Sequence, residues 1–179
     1  MRTSSGILLA TVLFLLTVVV NPPTSAQTVY VTPSDSQPEV EEFTVDIVLG
    51  SEGHEIMGME ISISFNEHIV QLDGIDPGPW FTGLDHEWFF WDYTHPDTEL
   101  IYFTGSSLGS GVTTDGVVAT CRFTALGPGI STLDFLGVDL RNSQNVRLVA
   151  DHSSGDSITI DSAIPTTDAS WEHIKALFQ

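Results

Sequence analysis

Apolar and polar residues alternate along the stretch 117–125. One side carries Val117, Ala119, Cys121, Phe123 and Ala125, and the other carries Val118, Thr120, Arg122 and Thr124. Strict period-two alternation over nine residues is typical of a strand with one face buried. We therefore expect the small and apolar set to face a core.

A turn signal follows at Gly127-Pro128-Gly129. Glycine permits positive φ and proline fixes its own φ, so this tripeptide ends the strand. Ile130, Leu133 and Phe135 then supply the apolar residues of a second strand. Strand, short turn and strand together predict a hairpin.

Two earlier stretches show the same alternation. The first places Phe43, Val45, Ile47 and Leu49 on one side. The second places Met57, Met59, Ile61, Ile63 and Phe65 on one side and Gly58, Glu60, Ser62 and Ser64 on the other. The small and polar side of the second stretch predicts a flat outer surface. This surface is either a docking face or an ordinary solvated face of the sheet. Short strands between glycine, proline and aspartate, with no helix-period segment before Ser170, predict a β-sandwich.

The two ends of the chain have different patterns. Residues 1–26 combine Arg2, an apolar run from Ile7 to Val20 and a small-residue cleavage site at 24–26, which predicts a signal peptide and an exported, extracellular or cell-surface protein. The domain is expected over 27–161, and 162–179 reads as a linker and tail. Ser170 is a candidate N-cap, and Trp171, Ile174, Leu177 and Phe178 share one face of a short helix.

Charge excludes some partners. The formal charge of the whole chain is −19, and removing 1–26, which contain Arg2 and no acidic residue, makes it −20. Such a charge argues against nucleic acid and against an anionic membrane surface. The single cysteine, Cys121, excludes an intrachain disulfide, and its inward position predicts an inert buried thiol.

The sequence signals for a catalytic or metal-binding site are weak. Gly105-Ser-Ser-Leu-Gly109 matches the G-x-S-x-G pattern of a hydrolase nucleophile elbow. That motif needs a helix after the serine, whereas turn residues follow Ser107 here, so we expect a loop and no catalytic residue. Six scattered histidines show no metal-ligand spacing. The carboxylates of 85–99 have the residue type of a glycosidase acid pair, but in a chain this acidic we expect them to be loop and surface charge. We predict no cofactor and no metal site.

The aromatic stretch His86-Glu-Trp-Phe-Phe-Trp-Asp-Tyr93 has more rings than one core face can take. In a strand, Trp88 and Phe90 face one way, and Phe89, Trp91 and Tyr93 face the other. Exposed rings serve as interface anchors or as stacking platforms for sugars. Alternatively, a loop or the C-terminal tail covers the outward rings. The sequence leaves open which of the two sets of rings faces outward.

The chain also resembles cohesin domains over about residues 28–161. The resemblance rests on Val29-Tyr-Val31, Phe43 to Val48, Met57 to Phe65, Ile69 to Leu72, Asp115 to Leu133, Leu140 to Asn145 and Ser157 to Ile160. It implies an all-β, nine-stranded jelly-roll sandwich. It also implies a secreted, non-catalytic module that binds dockerin-bearing proteins in extracellular polysaccharide degradation, any calcium belonging to the dockerin.

The docking face implied by the resemblance can be named by residue. It consists of Glu60, Ser62, Ser64 and Tyr102, with Trp88 or Trp91 beside them. The alternative function is direct carbohydrate binding through the exposed aromatic residues, with a polysaccharide as the partner. Nucleic acid and, after signal cleavage, a membrane are not expected as partners.

Overall fold

The computed structural model of the protein describes residues 26–33, 42–94, 99–152 and 156–160. Of the predicted signal peptide only Ala26 falls within this range, and the predicted linker and tail after Asp161 lie outside it. Among the described residues, no helix has the length and apolar character needed to cross a membrane.

Eleven strands and one helical turn make up the described part of the chain. They are β1 (Gln27–Pro33), β2 (Glu42–Gly50), β3 (Gly58–Ser64), β4 (Val70–Pro77), α1 (Pro79–Thr82), β5 (Trp88–Asp92), β6 (Leu100–Ser107), β7 (Gly116–Ala125), β8 (Gly129–Arg141), β9 (Arg147–Leu148), β10 (Ala150–His152) and β11 (Asp156–Ile160). The predicted count of nine is too low because β9 and β10 are short bridging pieces with no alternation of their own.

The strands form two sheets that pack as a sandwich. The five-stranded sheet has the order β10-β1-β2-β7-β4, and the six-stranded sheet has the order β11-β8-β3-β6-β5 with β9 also paired to β8. The pairings are antiparallel except that of β1 with β10. The predicted all-β sandwich is confirmed.

The core lies between the two sheets. The predicted inward sets of β2 and β3 meet there, and Ile47, Leu49, Ile61 and Ile63 are fully buried. Phe123 of β7 stacks on Phe43 and meets Phe65 edge-on, with ring centroids 5.6 and 5.5 Å apart. Alternation along β2 and β3 therefore identified the buried face correctly, as expected for sheets with one solvated face.

The predicted hairpin of β7 and β8 is wrong. The two strands belong to different sheets, so Gly127-Pro128-Gly129 connects one layer of the sandwich to the other. Both strands have one apolar face, and such faces can pack across the core as well as lie side by side. The turn signal marks a reversal of the chain but does not specify hydrogen-bond pairing.

Two side chains were also assigned to the wrong face. A β-bulge opposite Ile47 and Val48 shifts the register of β7, so Val118 is fully buried and Val117 only half-buried. Of the three apolar residues predicted for β8, Leu133 and Phe135 face the core together with Ser131, whereas Ile130 lies on the opposite side and is 60% exposed.

The helix α1 was not predicted. It is a single turn of four residues with Pro79 at its start, too short to show a helical period. Its Trp80 and Phe81 are buried, and the Trp80 Nε1 donates a hydrogen bond to the Thr114 carbonyl at 2.9 Å. This turn closes one end of the core and supports the neighbouring strand β5.

Candidate functional site

The outer face of the six-stranded sheet brings most of the predicted site residues together. Because Met59, Ile61 and Ile63 enter the core, Glu60, Ser62 and Ser64 lie on the outer side of β3. Tyr102 of β6 is paired directly with Ser62. Four residues chosen from the sequence thus share one surface.

Aromatic residues border this surface along the edge strand β5. Phe89, Trp91 and Tyr93 face outward and are 41%, 54% and 53% exposed. Their ring centroids are 6.5 Å apart for Phe89 and Trp91 and 6.1 Å apart for Trp91 and Tyr93, and Tyr93 stacks on Tyr102 at 5.2 Å. We call these four residues the aromatic row.

Trp91 belongs to this row, whereas Trp88 does not. Trp88 points to the other side of β5, where it is half-buried and lies 6.0 Å from the ring of Phe81. Phe90 packs on Phe81 and Phe103 on the same inner side. Burial therefore removes Trp88 from the predicted surface, because its ring helps to fill the core beneath β5.

Gly105 explains why β5 can sit so close to the core. A Cβ atom at this position would lie 2.3 Å from Cζ of Phe81, the buried ring under Trp88 and Phe90. A side chain at Gly109 would also be too close to a neighbour, since a Cβ atom there would lie 2.7 Å from Cδ2 of His86. Packing thus accounts for both glycines of the G-x-S-x-G pattern.

Ser107 takes part in a hydrogen-bond chain with Asp85 and His86. The His86 Nε2 lies 2.7 Å from the Ser107 Oγ, and the His86 Nδ1 lies 3.0 Å from the Asp85 Oδ1. This hydrogen bond to His86 lowers the pKa of the exposed Asp85 carboxyl. The sequence of nucleophile, base and carboxylate is the one used by serine hydrolases.

The surroundings of Ser107 do not suit a nucleophile. The residue is fully buried, and its Oγ donates a 2.5 Å hydrogen bond to the Ser110 carbonyl. The described residues between β6 and β7 form no helix, so the serine is not presented on a strand-to-helix turn. The chain of hydrogen bonds fastens the loop after β6 to the residues before β5.

Electrostatics differ across the outer face. Tyr102 donates a hydrogen bond to Glu60, which raises the pKa of the tyrosine. On β8, Asp139 pairs with Arg141 at 2.9 Å and with Arg147 at 3.9 Å. A shallow pocket of about 240 Å³ lies between these two groups and is floored by Gly58 and Gly105. The face therefore has an aromatic border, a small-residue centre and a charged border.

The outer face of the five-stranded sheet is different. Its polar groups pair with one another: Thr120 with Asp46 at 2.7 Å, Thr124 with Asp73 at 2.7 Å, and Arg122 with Asp76. The exposed aromatic side chain found on it among the described residues is Tyr30, 41% exposed. This face has the character of an ordinary solvated surface.

One cluster of possible metal ligands was missed by sequence spacing. Glu67, His68 and Glu99 each place a ligand atom within 4.8 Å of the others. Glu99 comes from a different part of the chain, so no local motif could show it. His68 and Glu99 are exposed, and carboxylates near one another are ordinary on a surface this acidic. We assign no metal to this cluster.

Comparisons with known proteins show which solved structures have this architecture. No protein-family model and no curated protein sequence matches the chain. Among solved structures, a non-cellulosomal cohesin from the archaeon Archaeoglobus fulgidus matches with a TM-score of 0.63 and 11% identity, over 86% of this chain and 98% of that one.

Bacterial cohesins match equally well. A type I cohesin from Pseudobacteroides cellulosolvens has a TM-score of 0.61 and 18% identity, covering 79% of this chain and 96% of that one. A type II cohesin in a cohesin–X–dockerin complex from Acetivibrio cellulolyticus has a TM-score of 0.64 and 14% identity, covering 76% and 99%. At this identity the match concerns the fold, and the fold of this chain is that of a cohesin module.

Proposed function

We propose that this protein is a secreted, non-catalytic recognition module that binds a dockerin-type protein partner in extracellular polysaccharide degradation. The docking face is the outer surface of β3, β6 and β5 and of residues 130–135 of β8. It includes Glu60, Ser62, Ser64 and Tyr102 at its centre and Trp91 at its border.

The contrast between the two outer faces carries this proposal. The five-stranded sheet pairs its polar groups internally, whereas the six-stranded sheet exposes Phe89, Trp91 and Tyr93 beside small residues. Large exposed rings next to a flat surface are typical of protein interfaces, where tryptophan and tyrosine are the commonest hot spots.

Solved structures with the same fold support the class of partner. Cohesins from Acetivibrio cellulolyticus and Clostridium thermocellum were each determined in complex with a dockerin. The same solved structures support a non-enzymatic role, in line with the buried position of Ser107.

Charge indicates what the partner surface contains. Glu60 and Asp134 lie on the docking face, and neither has a cation within salt-bridge distance among the described residues. The formal charge without the predicted signal peptide is −20, because that segment removes Arg2 from a chain of charge −19. A partner with lysine or arginine opposite these carboxylates would associate faster, and more so at low salt.

The direct test is titration of dockerins with matched variants. In Ser62→Arg a bulky side chain stands at the centre of the docking face, and we expect binding to be abolished. Thr32→Arg places the same side chain on an exposed position of β1 in the other sheet, and we expect it to bind normally. Equal binding by both variants would contradict the proposed face.

Carbohydrate binding is the second candidate, favoured by the linear arrangement of the aromatic row. Rings spaced regularly along an edge strand can stack successive sugar units, and stacking depends on the rings more than on the centre of the face. Under this alternative, Trp91→Ala removes binding to a polysaccharide while Ser62→Arg retains it. Tyr30→Ala, which removes an exposed ring from the other sheet, is the control.

A further inference from the structure

An apolar groove lies beside the docking face, along the part of β8 that follows Asp134. It has a volume of about 480 Å³ and is lined by Leu136, Val138, Leu148, Val149, Ala150 and His152, among others. Leu136 is 64% exposed and Val149 is 73% exposed. Apolar side chains gathered in one concave place indicate an interaction site more strongly than scattered ones do.

A β-bulge presents Leu136 to this groove. Ser62 of β3 pairs with Gly137 and Ile63 pairs with Phe135, so Leu136 is the extra residue between them. Bulges re-aim side chains and are specific features of a strand rather than defects. On the far wall, Leu148 and Ala150 pack partly against the core, which fixes the segment carrying Val149.

We propose that the C-terminal segment 170–178 of this same chain packs into the groove. The sequence of the segment predicts a short helix with Trp171, Ile174, Leu177 and Phe178 on one face. A nine-residue helix is marginal in water unless its apolar face is buried. The groove offers a surface of matching character, and attachment to the same chain gives a high effective concentration.

The connecting chain is long enough. Ile160, the last described residue, pairs with Gly129, and Leu136 lies seven residues further along β8. At ~3.4 Å per residue in a strand this is a distance of about 24 Å. Residues 161–170 can span roughly 33 Å when extended. The segment therefore reaches the groove without disturbing β11.

Charges at the rim agree with this occupant. Arg147 lines the groove and Asp151 lies in β10 beside it, both on exposed positions. The segment itself carries Glu172 and Lys175. The docked segment thus brings one acidic and one basic residue to a rim that carries Arg147 and Asp151, so each of its charges has an opposite charge on the same rim.

Lys175 allows a specific test because it is the single lysine of the chain. A lysine-specific protease therefore cuts the mature protein at one bond, inside the proposed docked segment. Docking protects that bond, so Leu136→Asp should raise the cleavage rate by about tenfold or more. Leu126→Asp, at a leucine 51% exposed in the β7–β8 connection, is the control and should leave the rate unchanged. Equal cleavage of the unaltered protein and Leu136→Asp would overturn the proposal.

A cysteine pair gives an independent readout. Leu136→Cys with Leu177→Cys should form a disulfide within one chain, while Leu126→Cys with Leu177→Cys should not. Cys121 does not compete, since burial raises the pKa of its thiol and hides it from solvent. Cross-linked dimers in place of monomers would show a second copy in the groove and contradict the proposal, as would equal cross-linking of both pairs. Dockerin binding is measured separately, so failure here leaves the proposed function testable.

Discussion

Single residues show how a catalytic pattern can arise from packing. The glycines at 105 and 109 make room for Phe81 and His86, and Ser107 lies between them with its hydroxyl buried. The sequence predicts a loop after the serine, because turn residues follow it, and residues 108–115 contain no helix. It could not show that His86 and Asp85 complete a hydrogen-bond chain, since this contact depends on the pairing of β5 with β6.

Ser107→Ala tests the structural role of this hydroxyl. The substitution removes the serine hydroxyl as the partner of the Ser110 carbonyl and of the His86 Nε2, which should lower the free energy of unfolding by about 1–3 kcal/mol. Ser157→Ala, at an exposed position of β11, should change it by less than about 0.5 kcal/mol. Chemical denaturation measures both. Loss of an esterase activity in Ser107→Ala, without loss of folding, would show that the serine is catalytic.

Phe123→Ala tests the assignment of the core. Phe123 is fully buried between Phe43 and Phe65, and its removal leaves a cavity that the two neighbouring rings cannot fill. We expect a loss of about 3–5 kcal/mol in the free energy of unfolding. A loss below about 1 kcal/mol would mean that the inner and outer faces of β7 are reversed.

Elements could be predicted only in part. The alternation in β2, β3 and β7 identified the strands and most of their inner residues, because period two is a local property of the chain. The pairing partners of β7 and β8 could not be predicted, because the same turn signal occurs when two successive strands pair with each other and when the chain crosses to the other sheet. The bulge in β7 reversed Val117 and Val118 for a similar reason.

Gly78→Ala tests how α1 is held against β7. A Cβ atom at Gly78 would lie 2.2 Å from the Val117 carbonyl oxygen, a backbone atom that cannot move aside easily. We expect a destabilisation of about 1–3 kcal/mol from this overpacking. Gly127→Ala is a matched control, because a Cβ there meets nothing within 4 Å. Thermal unfolding of the two variants at equal midpoints would contradict the packing described for α1.

At the scale of the whole molecule, the positions of the proposed docking residues were predictable where they depended on one strand. Glu60, Ser62 and Ser64 follow from the alternation of β3, and the resemblance to cohesins added Tyr102, which the structure pairs with Ser62. The choice between Trp88 and Trp91 could not be made, because it depends on Phe81, a residue of the unpredicted helix α1. The face is therefore a property of the assembled sandwich.

The most direct measurement of the central claim is a hydrogen–deuterium exchange footprint of a dockerin complex. Upon binding, the account predicts added protection in peptides covering 58–64, 88–93, 100–106 and 130–135, with β2, β4 and β7 unchanged. Ser62→Arg should abolish this footprint, whereas Thr32→Arg should retain it. Protection concentrated on β2, β4 and β7, or no footprint with any dockerin tested, would contradict the account.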